Sequence, residues 1–179
     1  MQLFAQVKVA KKATVAAAKI WGPIYLRFAR EKTPVITTEE TPFTPGKAMI
    51  YWQSKKPEVA ILACGQLVYQ ALVAARELEK EKIGSMVLNV SSIKPLDELA
   101  IYEAAKKCGA VVAIEEHQIH GGMGGAIAEF LSAKFPVPME FVGMRDTFGE
   151  SGEPNELLEK YGMSVSHIRS AAKKAIKRK

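Results

Sequence analysis

At 179 residues the chain is long enough for one α/β domain and an appendage, and too short for two complete domains. Its 48% hydrophobic and 25% charged residues are those of a globular protein with a sizeable core. No apolar run approaches the roughly 18 to 20 residues that cross a bilayer, and the lysine-dotted start lacks the unbroken apolar stretch of a secretory leader.

The net charge of +6 is confined to residues 1–30, where Lys8, Lys11, Lys12, Lys19, Arg27 and Arg30 meet no acid; the remainder balances 19 basic against 19 acidic residues. A nucleic-acid binder spreads its bases over a face interleaved with aromatics, so neither nucleic acid nor membrane is expected as a partner. An anionic small substrate or an acidic partner surface explains the asymmetry at least as well. Cys64 and Cys108 stand alone, without Cys-x-x-Cys spacing, and read as small core residues in a reducing compartment, with the cytoplasm as the expected location.

In chain order, Val9, Ala13, Ala16 and Ile20 recur at helical spacing, which predicts a short amphipathic helix closed by Gly22-Pro23. Ile24, Leu26 and Phe28 then alternate with Tyr25, Arg27 and Ala29, the period of a half-buried strand. One helix and one strand cannot bury each other's apolar faces, so residues 1–32 read as an arm belonging to another domain, with Ile24, Leu26 and Phe28 poorly covered. Residues 33–46, rich in proline and threonine, read as an extended and fairly stiff linker.

From Lys47 onward strands alternate with helices. Strands are predicted at Val59–Ala63, Ser85–Val90, Ala110–Ile114 and Met139–Val142, and helices at Gln66–Lys82, Asp97–Lys107, Met123–Lys134, Glu156–Tyr161 and Val165–Lys179. The helix from Asp97 has Pro95 before it, acids in its first turn, Lys106 and Lys107 in its last and Gly109 beyond, as capping and the helix dipole require. This alternation predicts an α/β fold over 47–179, a mostly parallel sheet with helices on both faces, preceded by the helix-strand arm.

Ligands of such sheets bind outside the carboxyl ends of the strands. The segment after the third of these strands reads Glu115-Glu116-His117-Gln118-Ile119-His120-Gly121-Gly122-Met123-Gly124-Gly125. His117 and His120, three apart and without a helix beneath them, fix no third metal ligand. Ile127 stands where Gly-x-Gly-x-x-Gly needs its last glycine, and no Walker lysine follows. The favoured reading is that the glycines allow a tight turn and close approach of the next helix to the sheet. Glu116, His117, His120, Gly121 and Gly122 would then line a domain or subunit interface. No Gly-x-Ser-x-Gly elbow or catalytic triad occurs. Arg30, at the end of the arm strand, is either a surface arginine beside Glu31 or a guanidinium able to fork onto a phosphate.

Gly22-Pro-Ile-Tyr-Leu-Arg-Phe-Ala-Arg-Glu31 resembles the last strand of the transketolase pyrimidine-binding domain. Ile93-Lys-Pro-Leu-Asp97, Glu115-Glu-His-Gln118, the glycine loop, Thr147-Phe-Gly-Glu-Ser-Gly-Glu153 and Leu157-Leu-Glu-Lys-Tyr-Gly162 resemble the transketolase carboxy-terminal domain, in order and over essentially the whole chain. The resemblance implies 1–32 as the end of a pyrimidine-binding domain, 33–46 as linker and 47–179 as the carboxy-terminal domain. It implies a section or subunit of an enzyme that moves two-carbon ketol units between sugar phosphates in the pentose phosphate pathway, with thiamine diphosphate and magnesium in the complete enzyme.

The family's metal ligands, its Gly-Asp-Gly motif and its activating glutamate are expected upstream of Met1. No catalytic, cofactor-binding or metal-binding residue is therefore expected in this chain, which is not expected to bind cofactor or be active alone. Its implied partners are an amino-terminal transketolase section or subunit and further copies in a homo-oligomer. Arg30 matches the family arginine that contacts the substrate phosphate. The alternatives are a non-catalytic interaction or regulatory module of the same fold, or the corresponding section of a deoxyxylulose-phosphate synthase or a 2-oxo acid dehydrogenase beta chain.

Overall fold

The computed structural model describes residues 2–4, 7–29 and 33–179. Its arm consists of β1 (Gln2–Phe4), α1 (Val7–Ala17) and β2 (Leu26–Phe28). β1 pairs in parallel with β2, so the arm is a small strand-helix-strand crossover. α1 buries Val9 and Ala13 against Leu26 and against Phe43 of the following segment. Lys12 ties the same segment down by donating to the carbonyls of Thr41, at 2.6 Å, and of Glu39.

The rest of the chain forms β3 (Met49–Gln53), β4 (Val59–Ala63), α2 (Leu67–Lys80), β5 (Ser85–Asn89), α3 (Glu98–Cys108), β6 (Val111–Gln118), α4 (Met123–Lys134), β7 (Met139–Met144), α5 (Pro154–Lys160) and α6 (Val165–Ile176). The five-stranded sheet runs β3-β5-β4-β6-β7, parallel except for β3, which lies antiparallel to β5 at one edge. Period-two side chains send Val59, Ile61 and Ala63 of β4 to one face, under α2 and α6. Ala60 and Leu62 go to the other face, under α3 and α4. All five β4 residues are buried, as a central parallel strand covered on both faces requires. Truncating Ile61 or Leu62 to alanine would cost about 2–5 kcal/mol.

Local chemistry fixes the element ends. The Asp97 carboxylate accepts the Ala100 N–H at 3.3 Å to cap α3, and the Ala48 N–H at 3.0 Å, which fastens the approach to β3. Gly109, at φ +70°, closes the helix in the left-handed region.

Three differences from the sequence reading have physical causes. β3 escapes the pattern because a register shift between Ile50 and Trp52 breaks its alternation; Tyr51 and Trp52, adjacent in sequence, both pack on the α2/α6 face. β6 continues four residues beyond Ile114, because past a register shift Gln118 pairs again with Met144 of β7, which a polar stretch does not announce. β1 is too short for any periodicity.

The last helix is pinned to the β7 edge by charge. Buried Glu140 of β7 receives Lys174, in the last turn of α6, at 2.8 Å and Arg178, just beyond the helix, at 2.5 Å. Burial pushes the Glu140 carboxyl up, but the two cationic donors outweigh it and hold it below its ordinary value. A lowered folded value means stabilisation that is present above the unfolded carboxyl range, near pH ~4.3, and lost as pH falls through the folded value. Glu140→Gln should therefore lower stability at neutral pH by about 1–2 kcal/mol. In urea titrations the gap to the unsubstituted chain should close as pH drops below about 4.

Candidate functional site

The carboxyl ends of β4, β6 and β7 carry most of the polar residues singled out in the sequence. Glu115 is buried inside β6, three residues before the strand ends. Its two oxygens accept the Met123 and Gly124 N–H groups, each at 2.8 Å, and so supply the anionic cap that the α4 amino terminus lacks in its own sequence. A Cβ at Gly122 would lie 2.4 Å from both carboxylate oxygens, and one at Gly124 would lie 2.8 Å from Phe141. The glycines thus bring a helix start onto a buried carboxylate and onto the sheet. Gly121, at φ +72°, makes the turn that precedes it.

Gln118 is the second organising side chain. Its amide donates to the Thr147 carbonyl at 2.9 Å and accepts the Asp146 N–H at 2.8 Å, gripping the segment that leaves β7. Asp146 takes the left-handed conformation at φ +53° there. Beyond the grip, the Tyr161 hydroxyl donates to the Phe148 carbonyl at 3.4 Å, and Lys160 pairs with Glu150. Phe148 itself is 99% exposed on this braced loop.

The histidines do not converge. His117 is half-buried with Nδ1 2.8 Å from the Gln118 carbonyl, which places its proton on Nδ1, while His120 is exposed. Glu116 is exposed, and its carbonyl lies 3.5 Å from the Arg27 guanidinium of the arm. Among the described residues no group of three or more His, Cys, Asp or Glu side chains is placed to hold a metal ion. Burial, then the Glu115 charge, keeps the Cys64 thiol protonated at the end of β4, and burial pushes Cys108 up to about 11. Arg30 lies outside the described residues. The sequence reading did not assign the Glu115 cap or the Gln118 grip. An invariant spacing cannot reveal either, since the partners lie 8, 9, 28 and 29 residues away.

Residues 46–168 match the family described as transketolase, C-terminal domain. The chain belongs to this family. It is 44% identical over 158 residues to the 6-deoxy-6-sulfo-D-fructose transketolase subunit SqwH of Clostridium sp. (strain MSTE9), covering 88% of this chain and 48% of that one. It is 34% identical over 157 residues to an apulose-4-phosphate transketolase subunit of Phocaeicola vulgatus, covering 87% and 49%. This transketolase-family chain thus spans about half the length of those curated relatives. Among solved structures, a split-gene transketolase described as an inactive beta4 tetramer superposes with TM-score 0.94 at 38% identity, over 99% of this chain and 58% of that one. Leishmania mexicana transketolase shares the fold at 20% identity, with TM-score 0.74 over 98% of this chain and 25% of that one.

The cap makes a sharp contrast between two glycines of one transketolase-type loop. Gly122→Ala should displace the Glu115 carboxylate from both N–H groups and cost about 2–4 kcal/mol in chemical denaturation. Gly125→Ala, whose Cβ would meet nothing within 4 Å, should be neutral or stabilising, by up to about 1 kcal/mol.

Proposed function

We propose that the chain is the carboxy-terminal section of a thiamine-diphosphate-dependent transketolase that moves two-carbon ketol units between sugar phosphates in the cytoplasm. It works with an amino-terminal section or subunit, in a homo-oligomer of such pairs. The observation that carries this reading is the superposition of 99% of the chain on a split-gene transketolase chain with TM-score 0.94. Residues 1–32 act as the end of a pyrimidine-binding domain, 33–46 as linker and 47–179 as the terminal domain.

The metal and the cofactor belong, on this reading, to the amino-terminal section. The buried carboxylate nearest the strand ends, Glu115, is committed to the α4 amides, and no three candidate ligands converge among those residues. What the chain contributes is binding and support: Arg30 takes the anionic end of the sugar, and Glu116, His117, His120, Gly121 and Gly122 face a neighbouring domain or subunit.

A sulfonated sugar is the second reading of the substrate, favoured by the 44% identity to a subunit named for 6-deoxy-6-sulfo-D-fructose. Phosphate and sulfonate present similar forked oxygens to a guanidinium.

Purified alone and given thiamine diphosphate and magnesium, the chain should show no ketol transfer. Combined with an amino-terminal section it should show transfer, and Arg30→Ala should raise KM for the preferred anionic sugar about tenfold or more with a smaller change in kcat. Comparing KM for phosphorylated and sulfonated donors decides between the two substrates. Turnover by the pure chain would sink the whole reading, and an unchanged KM would remove Arg30 from it.

A further inference from the structure

On the sheet face that packs against α3 and α4, the cover stops short of the edge strand. Ile50 of β3 is 57% exposed, and a trough of about 520 Å³ opens between β3 and α3, a volume in the range of small-molecule sites. Its floor is apolar, made by Ala48 and Ile50 of β3 beside Met86 and Leu88 of β5. Its wall is the α3 stripe Ala100, Glu103, Ala104 and Lys107, spaced three and four apart and so on one side of the helix. Alanine at 100 and 104 leaves the room that longer side chains would take.

The two ends of the trough differ in charge. At one end the Asp97 carboxylate, ahead of α3, accepts the Ala48 N–H at 3.0 Å and disfavours a second anion. At the other, the last turn of α3 lies toward Gln53 and its β5 partner Met86, and brings Lys106 and Lys107 to the trough, both exposed. Lys106 stands with its Nζ 5.7 Å from the Tyr102 ring. Glu103 is one turn before Lys107, so two lysines against one glutamate leave this end positive. From Ala100 to Lys107 the helix rises about 10 Å, which an extended alkyl chain of roughly eight to ten carbons spans.

We infer that the trough binds one medium-chain fatty acid, with the alkyl chain along Ile50, Met86 and Leu88 and the carboxylate at Lys106 and Lys107. Covering the floor takes apolar surface of both partners out of water, and the ammonium groups give the carboxylate charge-assisted bonds. The charged end lies at the opposite end of the sheet from Glu115 and Gln118. Binding here does not depend on the transfer reaction proposed above, so either can fail without the other.

Calorimetric titration of the purified chain with sodium decanoate, below its micelle concentration, should show one saturable site per chain with a dissociation constant of about 10–100 µM. Decanol, with the same chain and no charge, should bind at least about fivefold more weakly. Ile50→Glu should weaken decanoate about tenfold or more, with the thermal midpoint little changed because the side chain is exposed, and Ile50→Leu should retain binding. K106Q/K107Q should weaken decanoate about fivefold or more and leave decanol within about twofold. Titration without saturation would overturn the inference, as would binding indifferent to Ile50→Glu or decanol binding as tightly as decanoate. Pelleting of the chain with phosphatidylglycerol vesicles, without binding of free decanoate, would make the lysine end a membrane contact and equally overturn it.

Discussion

The buried carboxylate of Glu115 is the interaction on which the carboxyl end of the sheet depends. A charge at 3% exposure is costly unless its lone pairs are filled. Here both oxygens are filled by the first amides of α4, which need an acceptor for the same reason. The pairing has a steric condition: position 122 must have no side chain, because a Cβ would overlap both oxygens. Once β6 and α4 are locked, Gln118 further along the strand can hold the loop after β7, and the Glu116 carbonyl can meet the arm through Arg27. One satisfied charge therefore orders three neighbouring segments.

The same segment, rich in acids, imidazoles and glycines, uses several of its polar groups to hold backbone. Glu115 bonds α4, Gln118 bonds residues 146 and 147, and the His117 Nδ1 proton goes to the Gln118 carbonyl, while Glu116 and His120 are exposed.

Most of the core was legible in the sequence because burial on both faces leaves a plain signature. Val59–Ala63 is a continuous apolar run and folds as β4, and Met123–Lys134 is helical over the stretch expected. The caps of α3 at Asp97 and Gly109 follow from local rules. Legibility ended where structure is set by distant partners. The bulge that places Tyr51 and Trp52 on one face comes from pairing with β5, and the prolongation of β6 through four polar residues comes from renewed pairing of Gln118 with Met144 of β7. Gln118 looked like one of several polar residues because its partner segment is 28 and 29 positions away.

The central claim is that this chain supplies support and contact to a transketolase whose chemistry resides in an amino-terminal section. A titration tests it most directly: a fixed amount of that section, with thiamine diphosphate and magnesium, receives increasing amounts of this chain while ketol transfer is followed. Neither component should show transfer alone, and activity should rise linearly to a plateau at equal molar amounts. Transfer by this chain alone, or none at any ratio, would contradict the claim.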